Sequence, residues 1–110
     1  MNKPKPVLLS EYYIIKSLNF NRSQEYGEPV IDTLTVTLCS DLLSDDEQTI
    51  EFYDVKRLII GSLGIIGGVH LYAYDLSDRG YENLKYYVTD DVTNEEIVTL
   101  CFYCTGYKII

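Results

Sequence analysis

The chain predicts an all-β fold, a single-domain antiparallel β-sandwich or barrel of about seven strands. Three observations carry this. Apolar and polar residues alternate with period two in several short segments, those segments are rich in β-branched and aromatic residues, and Asn, Asp, Gly and Ser cluster between them. With 110 residues there is room for one core and not for two, so residues 1–110 read as one domain.

Lys3-Pro4-Lys5-Pro6 makes residues 1–7 an extended, mobile lead, because proline excludes the helical region for the residue before it. Tyr12 to Phe20 is the first strand, with Ile14, Leu18 and Phe20 on one parity, although Lys16 shares it. Asn19 to Ser23 reads as the following turn. Thr33 to Cys39 has the clearest alternation: Leu34, Val36 and Leu38 face one way, and Thr33, Thr35, Thr37 and Cys39 the other. Ser40 to Glu47 is a loop, and Asp41 to Gln48 has room for one helical turn. Strands follow at Thr49 to Val55 and Arg57 to Ile60. Gly61 to Gly68 forms glycine-assisted turns or a bulge. Val69 to Leu76, Leu84 to Asp90 and Ile97 to Tyr107 complete the set, separated by Ser77 to Asn83 and Asp90 to Glu96. Glu95-Glu96-Ile97-Val98 has the charges of a helix start, but Thr99 to Tyr107 is too β-branched and aromatic to continue one. No internal repeat is present.

The net charge is −8 and its distribution is uneven. Residues 1–40 hold four cations and four anions, whereas residues 41–110 hold five cations and thirteen anions. Asp41, Asp45, Asp46, Glu47, Glu51 and Asp54 run without an intervening cation, and Asp90, Asp91, Glu95 and Glu96 share one loop. This balance argues against nucleic acid and against an anionic membrane surface as partners. It suits solvated turns or a basic protein partner steered by acidic groups. No apolar run approaches the ~18–20 residues that span a bilayer. The first residues lack the apolar core and cleavage site of a secretory signal, so the expectation is a cytoplasmic protein with reduced thiols.

No catalytic, cofactor or metal site is assigned. Cys101-Phe102-Tyr103-Cys104 matches C-x-x-C, but on a strand residues three apart point to opposite faces, so the sulfurs cannot converge. Cys104 should face the core and Cys101 the outside. Cys39 is also on an outer parity, so a Cys39–Cys101 pairing depends on whether their strands are neighbours. His70 is the only histidine, and it reads as a surface or aromatic-packed side chain. The glycines of 61–68 lack phosphate-loop spacing and a following helix. Asp75-Leu76-Ser77-Asp78 lacks the ligand density of a calcium loop.

The eleven tyrosines say more. His70, Tyr72 and Tyr74 share the face opposite Val69, Leu71 and Ala73. Tyr87 lies opposite Tyr86 and Val88, and Tyr103 and Tyr107 lie opposite Phe102 and Cys104. If these strands adjoin in a meander, Tyr72, Tyr74, Tyr87, Tyr103 and Tyr107 form one outward patch. Such rings serve as cross-strand pairs or as interface anchors. With no cation interleaved they do not read as a base-stacking platform.

Phe52-Tyr53-Asp54-Val55-Lys56-Arg57-Leu58-Ile59-Ile60, Tyr74-Asp75-Leu76-Ser77-Asp78-Arg79, Tyr87-Val88-Thr89-Asp90 and Leu100-Cys101-Phe102-Tyr103-Cys104 follow in that order. Over residues ~50–104 this resembles small acidic all-β bacterial proteins, uncharacterised or grouped with the immunity proteins of toxin systems. The resemblance includes no catalytic signature and implies a cytosolic, non-enzymatic protein that binds and blocks a partner. The expected function is therefore a protein-binding module, an immunity-type inhibitor that occludes a basic partner. Its contact residues would be Tyr72, Tyr74, Tyr87, Tyr103, Tyr107, Asp45, Asp46, Glu47, Asp90 and Asp91. Two alternatives stay open: a small-ligand carrier or enzyme with a tyrosine-lined cleft beside His70, and a structural subunit that forms homo-oligomers.

Overall fold

A computed structural model describes residues 5–43, 45–61, 70–77, 84–90 and 100–110. Among these, nine strands occur: β1 (Val7–Leu8), β2 (Ile14–Ser23), β3 (Ile31–Cys39), β4 (Glu47–Tyr53), β5 (Lys56–Ile60), β6 (Tyr72–Asp75), β7 (Tyr86–Thr89), β8 (Leu100–Cys104) and β9 (Gly106–Ile109). They form a five-stranded sheet of order β1-β6-β7-β8-β5 and a four-stranded sheet of order β2-β3-β4-β9, with every pairing antiparallel. Two separate sheets make a sandwich rather than a barrel, with two more strands than the sequence pattern suggests. No α-helix long and apolar enough to cross a membrane occurs among the described residues.

The alternation of β3 builds one half of the core. Leu34, Val36 and Leu38 are fully buried with Ile50 and Phe52 of β4, while Thr33, Thr35 and Thr37 stay half-exposed. Ala73, Val88, Leu100, Phe102 and Cys104 supply the other half, and one continuous cluster joins both sheets. At its centre the Phe52 and Phe102 rings meet edge-on, with centroids 4.8 Å apart and planes at 75°.

Several boundaries depart from the period-two reading for identifiable reasons. Val7, the last residue of the expected lead, belongs to β1, which pairs Val7 with Ala73 and Leu8 with Tyr72. Asn19 to Ser23 is strand, because each of these residues has a cross-strand partner in β3, from Thr35 to Ile31. The ladder overrides the low strand preference of Asn and Ser. Lys16 shares the apolar parity because it is the extra residue of a bulge between Ile15 and Ser17. The bulge moves Ile15, rather than Ile14, onto the core side with Leu18. In the acidic loop Leu42 and Leu43 form a turn closed by the Leu43 N–H on the Asp41 carboxylate at 2.9 Å, and β4 already begins at Glu47. The glycine-rich segment from 62 onward lies outside the described residues.

The largest departure is the last expected strand, Ile97 to Tyr107, whose residues 97–99 lie outside the described residues. It is two strands in two sheets. At Thr105 the backbone N–H donates to the Tyr53 carbonyl at 3.0 Å, so the chain leaves the five-stranded sheet and pairs with β4. A similar crossover joins β4 to β5, where Val55 is buried and donates its N–H to the Asp32 carbonyl at 2.9 Å.

Candidate functional site

β6, β7 and β8 do adjoin, and their register sets Tyr74 opposite Tyr87, Tyr87 opposite Tyr103, and Tyr103 opposite Lys56 of β5. The three half-buried rings form a row across the outer face, with centroids 6.2 Å apart for Tyr74–Tyr87 and 4.9 Å for Tyr87–Tyr103. These separations suit offset aromatic contact, worth about 0.5–1.5 kcal/mol per pair. Tyr72 is on the same face, one pleat repeat of about 7 Å away, level with Thr89 and Cys101.

The row ends in a cation that sequence reasoning missed. The Arg57 guanidinium lies over the Tyr103 ring, 5.9 Å from its centroid. It gets there through a bulge: Lys56 pairs with Tyr103 and Ile59 with Cys101, so Arg57 and Leu58 together oppose one residue. Arg57 adopts φ 54°, a left-handed conformation that costs a residue with a Cβ about 1 kcal/mol. Asp54, three residues earlier, also has φ 54°, and its carboxylate pairs with Lys56 at 3.2 Å. A left-handed arginine carries no composition or periodicity signal, so only the backbone reveals it.

Tyr107 does not join this patch. The parity that faces outward in β8 faces inward in the opposing sheet, so after the crossover at Thr105 its ring packs on Tyr86 at 5.1 Å and Phe52 at 6.1 Å. Burial, with Tyr86 nearby, raises its phenol above the ordinary tyrosine value.

The acidic residues lie at the opposite end of the sandwich from the tyrosine row. Asp45 and Asp46 precede β4, Glu47 begins it, and Asp90 follows β7. A cleft of about 540 Å³ brings Glu47 beside Leu8, Glu11 and Tyr12, and Leu8 pairs with Tyr72, the partner of Thr89. Glu47 accepts from the Lys16 ammonium at 2.7 Å, which raises that ammonium above its usual value. The Asp90 carboxylate accepts from the Leu100 N–H at 3.1 Å, tying β7 to β8. Asp91 lies outside the described residues. Thus Asp45, Asp46, Glu47 and Asp90 gather at one end, and Tyr74, Tyr87 and Tyr103 lie toward the other.

The remaining chemical candidates are occupied structurally. Cys101 and Cys104 face opposite sides of β8, and Cys101 is buried despite its outward parity. No disulfide joins the three cysteines, with Cys39 buried in the four-stranded sheet and Cys101 in the five-stranded one. Burial pushes the Cys104 thiol up to about 12, so at neutral pH it is protonated and a poor nucleophile. His70 is exposed and stacks on Tyr13 at 5.7 Å. Asp75 accepts the Ser77 N–H at 2.8 Å, which holds its carboxyl below the usual range. Among the described residues no group of three acidic, His or Cys side chains converges to hold a metal. Neither the 540 Å³ cleft nor a second of about 310 Å³ is lined by His70, Tyr72, Tyr74 or Tyr103.

A family model described as Immunity protein PIM8 matches residues 7–110. The chain belongs to this immunity protein family. The match extends beyond residues ~50–104, where the sequence resemblance lies, and takes in β1 to β4 as well. Comparisons with curated proteins and with solved structures found no match. For an immunity protein, the outer face of the five-stranded sheet offers tyrosine and arginine side chains, the types most enriched among energetically dominant interface residues.

Proposed function

We propose that this immunity protein neutralises a toxin by occlusion, covering its functional surface with the outer face of the five-stranded sheet. The row Tyr74–Tyr87–Tyr103 capped by Arg57 carries this reading. Four anchor-type side chains are held in contact by cross-strand register and by a locally strained backbone. Strain of this kind persists where surrounding structure holds it and concentrates at functional positions. Asp45, Asp46, Glu47 and Asp90 supply a long-range field that attracts a basic partner, and the tyrosines supply the short-range contact. Tyr72 extends the anchor face toward the acidic end. Three cysteines with no disulfide among them suit action in a reducing cytoplasm.

Growth protection tests the proposal. Co-expressed with the toxin it neutralises, the wild-type chain should restore growth. Tyr87→Ala, at the centre of the row, should weaken the isolated complex by at least ~30-fold. Protection that persists while calorimetry detects no complex would reject occlusion.

A further inference from the structure

The β2–β3 hairpin outgrows the sheet that carries it. β4 covers β3 only as far as Thr33, which pairs with Tyr53, so Arg22↔Asp32 and Ser23↔Ile31 pair as a two-stranded arm. Every residue from Asn19 to Ile31 is exposed. Phe20, Tyr26, Val30 and Ile31 lie within this stretch, and Tyr26 at its tip is 105% exposed. A two-stranded arm that displays Tyr26, Val30 and Ile31 in water, with Phe20 at its root, gains nothing for its own fold from that display.

The arm is nevertheless built to hold one shape. At its root the Arg22 guanidinium donates to both Asp32 carboxylate oxygens, at 2.8 and 3.4 Å, and lies 5.7 Å from the Phe20 ring centroid. Arg22 holds the Asp32 carboxyl below the usual range. At the tip the Glu28 N–H donates to the Glu25 carbonyl at 2.9 Å, and Gly27 takes φ 81°, which makes Glu25–Glu28 a type II turn. The Gln24 side-chain amide donates to the Glu28 carbonyl at 3.0 Å and ties the loop across its base. Tyr26 occupies the corner of this turn, between Glu25 and Glu28. Arg22 is engaged by Asp32, so the tip presents two carboxylates with a bare phenol ring.

We infer that this arm is a preorganised docking finger whose Tyr26 tip enters a concave basic site on the toxin partner. The inference rests on the toxin-binding reading above and names a second contact region for it. The arm root lies beside the β4–β5 turn through the Val55–Asp32 hydrogen bond, so finger and tyrosine row flank the same end of the sandwich. Charge selects the occupant. A second copy of a chain with net charge −8 would bring like charges to the tip, and anionic lipid headgroups would repel Glu25 and Glu28. A basic cleft accepts both carboxylates and buries the ring. Preorganisation lowers the ordering cost of that insertion.

The experiment uses the full chain and the toxin against which it protects growth, with calorimetry and stopped-flow binding at low and high salt. Tyr26→Ala should lower affinity by ~30-fold or more, mainly through faster dissociation. The double change Glu25→Gln and Glu28→Gln should slow association ~10-fold at low salt and flatten its salt dependence. Neither change touches the core, so unfolding midpoints should stay at the wild-type value. If the tip variants bind like wild type while Tyr87→Ala does not, the finger is overturned and occlusion by the sheet face stands. If the wild-type chain does not bind the toxin domain, both fall together. Loss on Tyr26→Ala with no salt dependence would overturn the basic cleft. A dimer dissolved by Tyr26→Ala, or co-sedimentation with neutral phosphatidylcholine vesicles, would overturn the toxin as occupant.

Discussion

The outer face of the four-stranded sheet carries Ser17, Asn19 and Asn21 on β2, Thr33, Thr35 and Thr37 on β3, and Thr49, Glu51 and a single aromatic, Tyr53, on β4, whereas the outer face of the five-stranded sheet carries Tyr72, Tyr74, Tyr87 and Tyr103 with Arg57. Both sheets are antiparallel and both bury branched aliphatic and phenylalanine side chains in one shared cluster. Their outward residues therefore answer different demands. The threonine face satisfies itself: the Thr37 and Thr49 hydroxyls bond to each other at 3.0 Å, and β-branched polar residues suit a pleated, wet surface. The tyrosine face holds large aromatic area and a left-handed arginine, features that folding alone does not require. A sheet surface that departs from the least demanding solution points to recognition, and the neighbouring sheet supplies the internal control.

The strongest way to break this comparison is to show that the two sheets do not share a core. Phe102→Ala removes the ring that packs against Phe52 across the sandwich, and it should cost about 3–5 kcal/mol. Near- and far-ultraviolet circular dichroism should follow one coincident urea transition; two separated transitions would mean that the sheets fold as independent layers. A smaller and sharper contrast comes from one change on each face. Glycine adopts φ 54° freely but adds unfolded-state entropy, so Arg57→Gly should leave stability within about 0.5 kcal/mol. The same change should weaken the toxin complex ~10-fold by removing the cation over Tyr103. Thr35→Ala should alter neither stability nor affinity by more than about 0.5 kcal/mol. Equal binding by both variants would reduce the difference between the faces to packing.

The smallest effect concerns the inner side of β8. Burial raises Cys104 from 9.0 to about 12, so the thiol form is favoured by the fold. Its stabilising contribution is fully present below pH 9 and declines as pH rises from 9 toward 12, with a loss of about 1 kcal/mol by pH 10. Denaturant midpoints at pH 8, 9 and 10 measure this, and substitution of Cys104 by Ala should remove that part of the pH slope.

Much of the architecture was legible because burial on one face writes period two into a strand. Leu34, Val36 and Leu38 against Thr33, Thr35 and Thr37 show it most clearly, and the meander that aligns Tyr74, Tyr87 and Tyr103 follows from the tendency of consecutive strands to pair. Where the reading failed, the cause was geometric. Lys16 broke the alternation of β2 because a bulge consumes one residue without flipping the rest. Tyr107 carried the right parity for the outer patch, yet the crossover at Thr105 reversed the meaning of that parity. Asn19 to Ser23 looked like a turn because their side chains favour turns, while partners in β3, from Thr35 to Ile31, held them extended.

Composition and alternation by themselves determined the all-β class, the single core and the acidic second half, and they placed Tyr107 outward together with Tyr72, Tyr74, Tyr87 and Tyr103. These depend on local propensity and on the energy of burying one face, both written residue by residue. Only the tertiary structure decided which sheet each strand joined, that the carboxylates and the tyrosine row occupy opposite ends, that Arg57 caps the row, and that residues 22–32 form a stapled arm. Those features depend on strand partners distant in sequence and, at Asp54 and Arg57, on non-glycine backbone at positive φ, for which the chain carries no local signature.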